Sequence, residues 1–369
     1  MRGSVFLVLL FNLWFAGLQP TTGNVLFLDG LYQNDSLTEK AELNVLFKST
    51  DILKFSLTVE DMRALKKDVG DDPSWHKGYL SYYTPDSLPV ILQVKVQARG
   101  HFRKDPANCN FPPLRLNFKK KEVKNTLFDG QNKIKLVTHC RNRPDHFSQY
   151  VQKEYLAYRI YNVITERSFR VRLAEIEYID GRDRVKTIKK YGFFIEDTRD
   201  MAERNGFTHV KVDNIPQEYL DFFYQDLLSV FQYMIGNTDW SVPARHNVKI
   251  LQEKPELRPV AVPYDFDWSG LVNPLYAKPS KKLGIETVEQ RIFRGFEKNV
   301  EDYHRIFQLF IDRQDEIYAL LDECRLNERH YKMTRRYIDD FYKVIKNEKL
   351  IEREFIHKAR TPNSDYWGK

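Results

Sequence analysis

The sequence predicts a mixed α+β fold in two parts, a strand-rich first half and a mainly helical second half, forming two lobes with a cleft between them. Three observations carry this. Apolar and polar residues alternate with a period of two through most of residues 24–140. The period lengthens to a helical one at 147–166, and it is helical again through 286–357. A chain of 369 residues with 42% hydrophobic content can build cores for both parts. The expected division is a leader at 1–23, a β-rich part with one long helix at 24–195, and a helical part at 196–369 that carries two functional loops.

The elements follow in order. "ILKFSLTV" alternates as a strand, and "EDMRALKKD" reads as a short helix. "LPVILQVKVQARG" is a long strand over 88–99 that ends at a glycine. A polar loop, "GHFRKDPANCNFPP", leads into the strands "PLRLNFK" and "KIKLVTH". The helix at 147–166 sets Val151, Glu154, Tyr155 and Tyr158 at i, i+3, i+4 and i+7, so one carboxylate lies on an apolar stripe. Either that stripe is half exposed, the more ordinary reading, or a Lys or Arg faces Glu154 across an interface. A hairpin, "VRLAEIEYID" and "KKYGFFIED", comes next. A strongly amphipathic helix then presents Leu220, Phe223, Leu227, Val230, Phe231 and Met234, and stops at Gly236. "VPARHNVKIL" and "PVAVPYDFD" read as two short strands before the C-terminal helices.

The first residues, "MRGSVFLVLLFNLWFAGLQPTTG", have a basic start, an apolar run of about 14 residues and a small polar end with Pro20. This is the pattern of a secretory signal peptide, too short for a comfortable membrane span. An uncleaved anchor is the alternative. The chain is therefore expected to be exported: periplasmic, cell-surface or secreted. The formal charge of +7 is scattered in small groups such as Lys119–Lys121 and Arg335–Arg336, without the aromatic-laced stripe of a nucleic-acid groove. Cys109, Cys140 and Cys324 lack the CxxC spacing of a structural zinc site. In an oxidising compartment one disulfide and one thiol are expected, with Cys109 and Cys140 at the same end of two neighbouring strands and Cys324 packed as a small apolar residue.

The acids decide whether the chain has chemistry. "IGNTDW" offers Asp239, "RHNVKIL" offers Asn247, and "PYDFDWSG" offers Asp265 and Asp267. Phosphoryl transfer needs a carboxylate near the acceptor hydroxyl, oxygen ligands for a divalent metal, and a cation on the phosphates held by an acid. In protein kinases these parts come in a fixed chain order, and the same order occurs here. Arg99 and Gly100 open the loop, Arg115 and Lys135 stand on the next strands, and Glu154 stands on the helix. Asp239 and Asn247 then precede the strand that leads to Asp265 and Asp267. Taken singly, each is an ordinary turn, cap or surface residue. The order and the flanking apolar strands make the case.

These stretches, "VKVQARGHFR", "FPPLRLNF", "KLVTHC…YVQKEYLAYRIYN", "FFIED", "IGNTDW…RHNVKIL" and "VPYDFDWSG", resemble the spore-coat-protein-H-like (CotH-like) kinases, a divergent branch of the protein-kinase-like fold. They cover roughly half of the chain. The resemblance implies a two-lobed protein-kinase-like fold and transfer of phosphate from ATP, with Mg²⁺ or Mn²⁺, to a hydroxyl of an exported or cell-surface protein. It implies Asp239 as the catalytic aspartate that accepts the hydroxyl proton, Asn247 and Asp265 as metal ligands, and Asp267 as an assistant. Arg99 and Gly100 would belong to the phosphate loop. The phosphate cation stays open between Arg115 and Lys135, with Lys135 favoured by strand order, and Glu196 would lie in the linker facing the adenine. The loop departs from the family pattern at His101. The alternative reading is a catalytically weak kinase-like scaffold that binds a partner at the surface.

Overall fold

The computed structural model describes residues 41–68 and 70–361, so the leader expected at 1–23 lies outside the described residues. Those residues belong to one compact unit, Lys40–Lys369. The strand-rich part closes into a seven-stranded barrel. Its strands are β1 (Leu53–Val59), β2 (His76–Tyr83), β3 (Pro89–Ala98), β4 (Leu114–Asn117), β5 (Lys133–Val137), β6 (Val171–Asp180) and β7 (Ile188–Ile195). The order around the barrel is β1-β2-β3-β4-β5-β7-β6. Neighbours are antiparallel except at the seam, where β1 runs parallel to β6 with Leu53 opposite Ala174. Alternation fills the interior: Phe55, Leu57, Leu80, Val94, Leu116, Ile134, Ile176 and Phe194 all point inward. A short helix, α1 (Met62–Lys67), begins at Asp61, whose side chain accepts from the Ala64 N–H.

The long helix α2 (His146–Ile164) packs on the outside of β6 and β7. Residues all around it are buried, Ser148, Gln152 and Glu154 as well as Val151 and Tyr158, so it is a central strut and not the one-sided stripe expected from its spacing. Its other faces meet a second apolar cluster, built with α4 (Phe222–Ile235), α5 (Val300–Asp312), α6 (Gln314–Glu323) and α7 (Glu328–Ile345). Between α2 and α4 stand α3 (Thr198–Arg204) and the first strand of a three-stranded sheet. That sheet has the order β10-β9-β8, with β8 (Thr208–Val210), β9 (Val248–Gln252) and β10 (Val260–Pro263). The fold is thus mixed α+β, as the sequence predicts.

Two expectations need correction. The C-terminal helices begin at Val300, not at 286. In the intervening segment Arg291 donates to the Tyr233, Met234 and Tyr337 carbonyls, and buried Arg294 donates to those of Thr238 and Trp240. Phe293 is fully buried between them. Those anchors hold an irregular path in place of a helix. The strands β2 and β8 were also not foreseen. β2 places Tyr79 and Tyr83 in solvent and Leu80 and Tyr82 inside, so its apolar content hides the alternation.

Candidate functional site

The site lies where β5, α2 and the two loops after α4 and β10 meet. Helix α4 ends at Gly236, whose φ of +63° a side chain would resist. From there the chain runs to Asp239 and returns into β9. Strands β9 and β10 form a hairpin in which Pro263 faces Val248, and the Tyr264 N–H donates to the Asn247 carbonyl at 3.0 Å. Asp265 therefore emerges just beyond Asn247. Behind the site the Gly270 N–H donates to the Gly236 carbonyl and the Leu271 N–H to that of Ile235, so the start of the first loop is tied to the part of the second that follows Asp267. Arg245, Asn247 and Asp265 hold φ values of +49°, +53° and +65°. Left-handed backbone at non-glycine residues is strained and persists only where the surroundings impose it.

Two polar groups stand side by side. In the first, the Asn247 amide donates to the Asp239 carbonyl at 2.7 Å and to its Oδ2 at 3.1 Å. His246 Nε2 lies 2.9 Å from Asp239 Oδ1, and that contact, ahead of the opposing effect of burial, raises the imidazole pKa. In the second, Glu154 is 2% exposed, and burial followed by the charge of Asp267 holds its carboxyl well above the usual range. Burial and Asp265 push Asp267 up to about 7. Arg103 lies between these acids, with Nη1 at 3.7 Å from Glu154 Oε2 and 3.8 Å from Asp267 Oδ2. The Tyr276 hydroxyl donates to Asp267 Oδ2 at 3.2 Å. One turn beyond Glu154 on α2, the Tyr158 hydroxyl accepts from the Asp265 N–H at 2.8 Å.

The sequence-derived residues are thus distributed unevenly. Asp239 and Asn247 are hydrogen-bonded to each other, and Glu154, Asp265 and Asp267 form a second knot linked through Tyr158 and Arg103. The half-exposed reading of Glu154 is wrong: it is buried and faces a cation. That cation is neither Arg115 nor Lys135. Lys135 stands over the Tyr264 ring at 5.4 Å, and burial, then Arg99 and Lys249, lowers its pKa to about 8. Arg115 faces Lys135 across the β4–β5 ladder. With Arg99 and Gly100 it lines a cleft of about 320 Å³, shared with Trp75, Lys104 and Lys133. Glu196 is held inside the fold: its carboxylate accepts from Arg204 through two contacts of 3.0 Å and from the Arg170 N–H at 2.9 Å, while its own N–H donates to the Arg170 carbonyl.

Sequence reading missed Arg103, His246, Tyr158 and Tyr276. Tyr158 carried a signal, since it shares the helical stripe with Glu154. Arg103 had only its place in a polar loop. That loop is nevertheless well anchored. Cys109 and Cys140 form the expected disulfide, with Cα atoms 4.7 Å apart. Asn108 donates to the Phe102 carbonyl, and Arg141 donates to the carbonyls of Ala107 and Asn108. Cys324 remains a free thiol whose pKa burial raises to about 12.

Among the described residues, no three His, Cys, Asp or Glu side chains converge as a metal cage. The donors present suit a different kind of site. Mg²⁺ is commonly held by one or two carboxylates, with phosphate and water completing its shell. Asp265 is exposed, and among the described residues its carboxylate has no hydrogen bond or ion pair. Asp267 lies close enough to feel its charge, and Asn247 donates through its amide nitrogen, which leaves its oxygen available. This hard-oxygen set fits a divalent cation bound together with a phosphate.

No protein-family model matches the chain, and no curated protein does. Among solved structures it is similar to the Golgi casein kinase with Mn/ADP bound, at 11% identity over 86% of this chain and 78% of that one, with a TM-score of 0.30. A second structure of the Golgi casein kinase matches at 11% identity over 85% and 78%, also at 0.30. A superposition that loose places no residue of this chain on a residue of the kinase.

Proposed function

We propose that this chain is an exported, CotH-like kinase that transfers phosphate from ATP to a protein hydroxyl with the help of Mg²⁺ or Mn²⁺. One observation carries the reading. The helix acid, a loop cation and the acids after a strand form one connected unit, through Arg103 and through the Tyr158–Asp265 bond, beside a carboxylate paired with an asparagine. A phosphoryl-transfer site needs these parts and little else.

The roles follow from the environments. Asp239 is half-exposed, with its carboxylate oriented by His246 and Asn247 and lone pairs left to accept the proton of an acceptor hydroxyl. Asp265 and the Asn247 oxygen would hold the metal, with Asp267 assisting. A metal held there would supply positive charge against the negative charge that builds on the transferring phosphate. Arg99, Arg115, Lys104 and Lys133 line the adjoining cleft and outweigh Asp71 and Asp72 on the same walls, a positive excess that suits a nucleotide's phosphates. Arg99 is one of the cations that acts on Glu154 and also senses Asp265.

The scaffold reading is favoured by one feature: both Asp239 oxygens are already hydrogen-bonded within the protein. The two readings part in a single set of measurements. Mg²⁺–ATP should raise the melting temperature of the parent. At a free concentration 100 times the dissociation constant the gain is about 2.7 kcal/mol. Asp265→Ala should remove that gain. Asp239→Asn should keep it and lose roughly 10²–10⁴-fold in label transfer from ATP. A parent that binds nucleotide yet transfers nothing to a panel of hydroxyl acceptors is a scaffold. A parent that ignores nucleotide refutes the proposal altogether.

A further inference from the structure

Arg103 is the functional group that the sequence pattern of a kinase leaves without a role. A kinase-like site is expected to hold its phosphates with a strand lysine tied to the helix acid. Here Lys135 makes no ion pair with Glu154, and the charges that act on it are the cations Arg99 and Lys249 ahead of the acids Asp265 and Asp197. The group facing Glu154 is a guanidinium carried by the loop that follows Gly100.

Its geometry is that of a group with unused capacity. A guanidinium carries five N–H donors in a planar fork. One, at Nη2, donates to the Thr138 carbonyl. Nη1 looks toward Glu154 and Asp267 from 3.7 and 3.8 Å, beyond hydrogen-bond reach of either. Nε is buried and has no partner among the described residues. The side chain as a whole is only 10% exposed. Buried donors left unmade are costly, and a phosphate bound beside Arg103 would satisfy them.

The loop is also fixed in place to present this group. Phe102 packs edge-on against Trp268 at 5.3 Å and at a tilt against Tyr276 at 5.5 Å, and Tyr276 is bonded to Asp267. Gly100 turns the chain at φ +88°, and the disulfide closes the far end of the loop. Arginine suits a phosphate better than a lysine does, because its fork can meet two oxygens at once.

We propose that Arg103, not a strand lysine, is the cation that Glu154 orients onto the phosphate chain of a nucleoside triphosphate. This rests on the kinase reading of the same site. The test is calorimetric binding to the mature chain, with a non-hydrolysable ATP analogue plus MgCl₂ in one arm and adenosine in the other. Arg103→Gln should weaken the triphosphate by roughly 10- to 100-fold, the loss typical of a hydrogen bond to a charged group, and leave adenosine unchanged. Arg103→Lys should recover part of the loss, and Lys135→Gln should have the smaller effect. A double variant, Glu154→Gln with Arg103→Gln, removes both charges of that pair together and should show the same selective loss without a stranded Glu154.

The outcomes separate cleanly. If Lys135→Gln abolishes triphosphate binding and Arg103→Gln leaves it intact, the assignment to Arg103 is overturned and the kinase reading stands. Equal loss of triphosphate and adenosine in both Arg103 variants also overturns it, because a residue acting only on the fold would move both ligands. A parent that binds neither ligand overturns this inference and the proposed function together.

Discussion

The disulfide between Cys109 and Cys140 ties the loop that carries Arg103 to the segment entering α2. Its removal has a magnitude that the chain itself sets. The two residues are 31 apart. In the chain-entropy account, closing a loop of that length lowers the unfolded state's entropy by roughly 12 cal/mol/K, worth about 3.7 kcal/mol at 25 °C. Both residues are 2% exposed, so alanine is the least disruptive replacement. Cys109→Ala and Cys140→Ala should each lose nearly the whole amount in urea unfolding of the oxidised protein. The double variant should lose little more than either single one, because the crosslink is one interaction shared by two residues. Cys324→Ala, outside the crosslink, should leave this term unchanged. Single losses that add up in the double variant, or a total loss under about 1 kcal/mol, would refute the reasoning, since neither is compatible with a loop of this length held by the bond.

Three other perturbations test the frame of the site. At Gly236 an added Cβ would meet the Tyr337 hydroxyl at 1.9 Å from a backbone at φ +63°. Gly236→Ala should cost roughly 2–4 kcal/mol in chemical denaturation, and Tyr337→Phe should return part of it. Arg204→Met strands the buried Glu196 carboxylate, so its unfolding free energy should fall by about 3–5 kcal/mol, and by less when paired with Glu196→Gln. Burial raises the pKa of Asp226 to about 6 although Lys298 lies 2.6 Å away. A raised carboxyl contributes stability that is fully present below its unfolded pKa and lost as pH rises through its folded one. Between about pH 4 and pH 6 this group should remove roughly 3 kcal/mol. Asp226→Asn should flatten that part of the stability profile.

The parts of the fold that repeat locally were legible. Alternation marked β1, β3, β4 and β5, and the period of 3.6 marked α2 and α4. The approach of Asp265 to Asn247 was readable because two short apolar strands joined by a short polar loop pair readily as a hairpin. What failed was information held between distant segments. Alternation says which face of β1 turns inward but not that its partner is β6. The period of α2 marks a stripe, but it gives no sign that helices and barrel cover the remaining faces, and so it left Glu154 undecided. Arg103 was invisible for a related reason. Its loop has no period, and its position depends on Phe102 docking on Trp268 and Tyr276, more than 160 residues later in the chain.

The parallel seam of the barrel has a consequence for the order of events during synthesis. Along the seam β1 meets a strand made 121 residues later. At translation rates of about 5–20 residues per second, β1 waits roughly 6–24 s before its second neighbour exists. Throughout that interval it pairs with β2 alone and presents an open edge of the kind that recruits other strands. A nascent chain halted before β6 would therefore be a template for aggregation, and only one carried past Ile195, where β7 joins β5 to β6, is a barrel with no edge to offer.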